Sequence, residues 1–157
     1  MEEIILNDCI VKIDKEKTIE LFKDLPKVSE KAHCGCEDCQ LFPKQIQHAS
    51  PQVLDFFKQL GVDPTKEAEV WRAISNEDGF DTYSADYHFI GAIQGTDDLD
   101  WIQVEEASFG FANYNSDLPS PMIPSTFLQP IVELAVRITM PHMRCNIEKL
   151  FLYTIRQ

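Results

Sequence analysis

The hydrophobic pattern of this chain changes its period at Pro64. Before that residue, apolar side chains recur at helical spacing in two segments, 15–25 and 51–60. After it, apolar and polar residues alternate as in half-buried strands, most clearly over 131–140. Further candidate strands cover 68–74, 87–94 and 101–112. Helices in one half and strands in the other predict an α+β domain.

The first 65 residues add one strand and one further helix to this pattern. Ile4–Ile13 alternates as a strand, and 40–48 reads as a short helix with Pro43 in its first turn. Ser50 and Gly61 are suited to begin and end the last helix of this half. We therefore expect an N-terminal strand and helices packed on a mainly antiparallel sheet formed by the C-terminal half.

Length and charge narrow the class of protein. The 157 residues correspond to a single domain, 1–157. The net charge of -12 repels phosphate backbones and anionic lipids, so we expect neither nucleic acid nor a membrane as partner. Acidic residues concentrate at Asp97, Asp98, Asp100, Glu105 and Glu106, and such a face would suit a basic protein partner. The same residues are also typical of a plain solvated surface.

Cysteine usage predicts a reducing compartment. The chain has five cysteines, and its N-terminus carries two acids directly after Met1 instead of a basic, signal-like segment. An odd number of cysteines without a signal peptide argues against a disulfide framework, so the expected location is cytoplasmic. Cys9 and Cys145 lie in apolar stretches and are interpreted as small buried side chains.

The remaining three cysteines form a cluster in the segment His33-Cys34-Gly35-Cys36-Glu37-Asp38-Cys39. Zinc sites favour four sulfur or nitrogen ligands, and closely spaced ligands on one loop cost little closure entropy. We therefore predict a zinc site formed by Cys34, Cys36, Cys39 and His33. Cys9, His48, Cys145 or water are alternatives for the fourth position. Gly35 is expected to let the two flanking thiols converge.

Two other interpretations of the cluster stay open. The first is a tight turn in which the cysteines only pack. The second is a small thiol- or metal-dependent enzyme that uses the same loop with His33. A redox role is disfavoured because Glu37 and Asp38 oppose a thiolate, and because the C-x-x-C spacing lacks the expected βαβ context.

Three segments carry a resemblance to other proteins. The cysteine cluster, Leu60-Gly61-Val62-Asp63-Pro64 and Tyr87-His88-Phe89-Ile90-Gly91 resemble a group of small uncharacterised bacterial proteins. That group has a CGCxxC segment, an LGxDP helix end and a YHFxG strand, with asparagine where this chain has Leu41. The resemblance implies a bacterial cytosolic protein and implies no activity.

No catalytic constellation is evident from the sequence. Phosphate-cradling glycine loops, G-x-S-x-G, H-E-x-x-H and dinucleotide motifs are all missing from the 157 residues. His88 is expected to be a structural histidine on a strand, and His142 is expected to be exposed. We therefore assign no catalytic residue and predict a non-enzymatic binding or interaction module.

Overall fold

The computed structural model describes residues 1–6, 9–27, 34–95, 101–114, 123 and 127–143. These residues form seven antiparallel strands and three α-helices, which confirms the α+β class. The strands are β1 (Glu2–Ile5), β2 (Cys9–Ile13), β3 (Glu69–Ser75), β4 (Phe80–Gly95), β5 (Trp101–Val104), β6 (Ala107–Asn113) and β7 (Ile131–Pro141). The helices are α1 (Lys15–Asp24), α2 (Glu37–Gln45) and α3 (Pro51–Leu60), and a 3-10 turn (Ile46–His48) follows α2.

The strand order is β1-β2-β4-β7-β6-β5, and β3 also pairs with β4. Strand β4 is long enough to pair with β3 through residues 81–86 and with β2 through residues 91–95. The N-terminal hairpin is therefore part of the sheet. The expected sheet of the C-terminal half is present, and the N-terminal hairpin extends it at β4.

Two predicted strands are in fact hairpins. The segment Ile4–Ile13 turns between β1 and β2, where the Leu6 N–H donates to the Cys9 carbonyl at 2.9 Å. The segment 101–112 turns at Glu105, whose φ is 47°. Alternation continues through a hairpin, so period alone does not reveal the turn.

The three helices differ in how well their ends were predicted. Helix α3 begins after Ser50, whose hydroxyl accepts from the Val53 N–H, and ends at the left-handed Gly61, as predicted. Helix α2 begins three residues earlier than expected, so Pro43 lies in its second turn. Pro43 is buried, and because it has no N–H the helix lacks one backbone hydrogen bond at this position.

The core lies between the helices and one face of β4, β6 and β7. Aromatic rings fill it, with Phe57 of α3 packing on Tyr87 at 5.1 Å and on Phe109 at 5.3 Å between ring centroids. Phe42 of α2 packs on Tyr83 at 5.5 Å. Most aromatic side chains of the described strands are buried, but three are substantially exposed: Trp71, Phe80 and Trp101.

Candidate metal centre

The three clustered cysteines converge at the start of α2. Cys36 is the residue that caps the helix, Cys39 is its third residue, and Cys34 lies two residues before the cap. Their Sγ atoms all lie within 4.8 Å of one another. Cys39 is buried, Cys34 is half-buried and Cys36 is exposed, so the cluster opens to solvent on one side.

Backbone conformation explains the convergence without a special glycine. Cys36 is extended, with φ -71° and ψ 159°, which turns the chain from the loop into the helix. Gly35 is not among the glycines with positive φ, and a Cβ built on it meets no atom within 4 Å. The expected need for glycine at this position is therefore wrong, since an ordinary residue fits the same backbone.

The thiols influence one another strongly. The hydrogen bond from the backbone N–H of Cys39 is the largest cause that lowers the pKa of Cys36, and the neighbouring thiols add to it. Burial is the largest cause that raises the pKa of Cys39, followed by hydrogen bonding to the thiols of Cys36 and Cys34. The exposed thiol of Cys36 is therefore easier to ionise than that of Cys39, whose burial opposes a charge.

The geometry of the sulfurs fits a metal ion. Zn–S bonds of about 2.3 Å at tetrahedral angles place the sulfurs about 3.8 Å apart, which lies inside the observed limit of 4.8 Å. Thiolate sulfurs are the ligands that zinc and other soft ions prefer. Cys34, Cys36 and Cys39 could therefore hold a metal ion.

The predicted fourth ligands are not brought to the cluster by the described part of the chain. His33 and Cys145 lie outside the described residues. Cys9 is buried in β2 and His48 ends the 3-10 turn, and neither belongs to the group of convergent ligand atoms. His33 precedes Cys34 directly in the sequence and stays the predicted fourth ligand.

An arginine on β3 holds the cysteine-bearing end of α2 in place. Arg72 Nη2 donates to Asp38 Oδ1 at 2.7 Å, and Nε donates to the same oxygen at 3.1 Å. Nη2 also reaches Glu37 Oε2 at 3.4 Å. The two acidic residues between Cys36 and Cys39 therefore bind the sheet, which was not apparent from the sequence.

A second ion pair continues this network into the sheet. Arg72 Nη1 lies 3.8 Å from Asp81 Oδ1, and Asp81 Oδ2 lies 2.9 Å from His142 Nδ1. His142 Nε2 faces the Asn76 carbonyl at 3.1 Å. The prediction that His142 is exposed is wrong, because both ring nitrogens are engaged and only 18% of the side-chain surface is accessible. Asp81 and His142 are 61 residues apart, so no local pattern in the sequence could have revealed this contact.

Two further titratable side chains are buried away from the cluster. His88 is buried between Tyr114 and Phe127, as expected of a structural histidine, and burial lowers its pKa to about 4. Burial raises the pKa of Glu67 to about 8, and sequence analysis missed this residue.

Of the predicted acidic face, Asp97, Asp98 and Asp100 lie outside the described residues. Glu105 is exposed, and Glu106 accepts from the Ser50 N–H at 2.7 Å.

Comparisons with known proteins add no assignment. No protein-family model, curated protein or solved structure matches this chain. Among the described residues, no helix combines the length and the apolar character needed to cross a membrane.

Proposed function

We propose that this protein is a non-enzymatic binding module whose cysteine loop holds a structural zinc ion. Cys34, Cys36 and Cys39 supply three ligands, and His33 supplies the fourth. The observation that carries the proposal is the convergence of the three Sγ atoms within 4.8 Å. A zinc ion would ionise the three thiols and offset their mutual repulsion, so it would tie the chain before α2 to the helix.

A structural role is favoured by how the loop is anchored. Cys36 caps α2 and Cys39 lies within it, and the residues between them bind Arg72 on β3. Metal binding here would therefore stabilise the contact between α2 and the sheet, in addition to the loop itself. Because the unfolded chain cannot present this arrangement, the binding free energy adds to the free energy of unfolding.

The test is the metal content of protein purified without chelator, measured by elemental mass spectrometry. We expect about one zinc per chain and a melting temperature that falls when a chelator removes the metal. The variant in which Cys34, Cys36 and Cys39 are all serine should lose both properties. Cys9→Ala is the matched control, because it removes a buried thiol outside the cluster and should keep the zinc. Metal-free wild-type protein that also fails to take up added zinc would disprove the proposal.

The binding partner we propose is a basic protein, and the setting we propose is the cytoplasm. The net charge of -12 would steer a basic surface toward this chain and would weaken the association as salt rises. The four described cysteines are free thiols, and a reducing compartment preserves that state. Affinity capture at low and at high salt, with a cytoplasmic fraction, tests both statements. Captured proteins that are acidic, or binding that is insensitive to salt, would contradict the partner.

A further inference from the structure

Two of the three thiols are positioned to form a disulfide with each other. Cys36 and Cys39 are the cap and the third residue of α2. Cα atoms three positions apart in a helical turn are separated by about 5 Å. Disulfides span Cα distances of about 4.4–6.8 Å. Bond formation would therefore need side-chain rotation and no rearrangement of the helix.

The two thiols differ in their access to solvent. Cys36 is exposed, whereas only 4% of Cys39 is accessible. A disulfide reagent can therefore reach Cys36 first, and Cys39 lies directly behind it within 4.8 Å. An exposed attacking thiol backed by a buried second thiol is the arrangement that resolves a mixed disulfide within one chain.

The βαβ context expected of a redox-active C-x-x-C segment includes a position at the start of a helix. The C-x-x-C segment does lie at the N-terminus of a helix, although the described element that precedes it is helix α1 and not a strand. The acidic side chains of Glu37 and Asp38, expected to oppose a thiolate, are directed to Arg72. Two of the arguments against redox chemistry at this loop are thereby weakened.

We propose that Cys36 and Cys39 are a redox pair that controls release of the metal ion. The Cys36 sulfur attacks a small disulfide, and one thiolate of the reagent leaves. The Cys39 sulfur then attacks Cys36 Sγ, and the second thiolate leaves. The two protein thiols give up two protons and two electrons, and the reagent takes up both to become two thiols. The new bond removes two of the three cysteine ligands, so the metal dissociates.

The first experiment uses the full metal-free chain with glutathione disulfide and counts free thiols by alkylation and intact mass. We expect a loss of two alkylable thiols and of about 2 Da. Cys36→Ser should block the reaction, whereas Cys39→Ser should stop it at a mixed disulfide with glutathione on Cys36. Cys34→Ser is the control and should still form the bond. Oxidation that requires Cys34 and proceeds without Cys39 would overturn the assigned pair.

The second experiment uses zinc-loaded protein and a chromophoric chelator that reports free zinc. We expect about one zinc released for each disulfide formed, with rebinding after reduction by a dithiol. This step rests on the proposed function, and the two can fail separately. A chain that binds zinc but forms no disulfide overturns the redox pair alone. A chain that forms the disulfide but never binds zinc overturns the proposed function, and metal release with it.

Discussion

Arg72 binds both oxygens of the Asp38 carboxylate. Its Nη2 donates to Oδ1 at 2.7 Å, and its backbone N–H donates to Oδ2 at 3.1 Å. Among the described residues, strand β3 pairs only with β4, so this backbone N–H belongs to the edge of β3 that faces away from β4. Asp38 therefore covers part of an edge that would otherwise be free to pair with another chain, and it does so from the helix that carries the cysteines.

We expect Arg72→Ala to lower the free energy of unfolding by about 2–3 kcal/mol. The substitution removes charge-assisted hydrogen bonds to Asp38 and takes the guanidinium away from the buried Asp81 carboxylate, which His142 still contacts at 2.9 Å. Lys23→Ala is the control, since its ion pair with Glu20 is exposed and should contribute little to stability. Urea denaturation measures both variants. Equal effects would show that the Arg72 network does not support α2.

A milder substitution tests whether the contact between Arg72 and Asp38 also positions the metal-binding cysteines. Asp38→Asn keeps an acceptor for the Arg72 backbone but weakens the pairing with its guanidinium. Because groups that orient metal ligands typically affect affinity by about 10–100-fold, we expect zinc affinity to fall by about tenfold. Competition with a chromophoric chelator measures it. Glu37→Gln also removes one negative charge, but Glu37 Oε2 lies 3.4 Å from Arg72 Nη2, so this substitution should change zinc affinity less. A larger loss of affinity in Glu37→Gln than in Asp38→Asn would refute the positioning role of Asp38.

Glu67 should make the protein more stable in mild acid than at alkaline pH. Its pKa rises from 4.5 to about 8 because of burial, and neither carboxyl oxygen has a hydrogen-bond partner among the described residues. Below pH 4.5 the group is neutral in both states. Between pH 4.5 and about 8 the unfolded chain loses this proton while the folded chain keeps it, so stability falls by roughly 1 kcal/mol per pH unit.

The difference between wild type and Glu67→Gln isolates this contribution, because Asp86 and His88 also titrate with shifted pKa values. Between pH 5 and pH 8, we expect each rise in pH to lower the stability of Glu67→Gln less than it lowers that of wild type. Glu77→Gln is the control, since it removes the same charge in an exposed turn. Parallel stability curves for wild type and Glu67→Gln would contradict a buried, protonated Glu67.

Local sequence patterns predicted the helices and strands, whereas the other features depend on contacts between residues far apart in the sequence. Helix α3 was predictable at both ends because Ser50 and Gly61 act within one turn of it. The start of α2 was not, because its cap is Cys36, which makes a weak capping residue compared with serine or aspartate. The hairpins in the predicted strands were missed because alternation is the same on both sides of a tight turn.

The candidate site likewise has one part that the local sequence predicts and another that depends on long-range contacts. The three cysteines could be chosen from spacing alone, since all of them lie within six residues. The role of Arg72 could not, because it comes from β3 and reaches residues more than 30 positions earlier. The burial of Glu67 could not be predicted from the sequence for a related reason. A single acidic residue before a strand is normally exposed, and only the packed structure shows its burial.

Glycine substitutions should separate a required glycine from a dispensable one. A Cβ on Gly91 would lie 2.2 Å from the Lys12 carbonyl oxygen, which belongs to the neighbouring strand β2. Because backbone cannot move aside cheaply there, Gly91→Ala should break part of the pairing between β2 and β4 and cost about 3 kcal/mol or more. Gly35→Ala should change the free energy of unfolding by less than about 0.5 kcal/mol and leave the thiols convergent, since its Cβ meets nothing within 4 Å. Thermal denaturation ranks the two variants. A destabilising Gly35→Ala would mean that the cysteine loop needs backbone freedom that the observed conformation does not use.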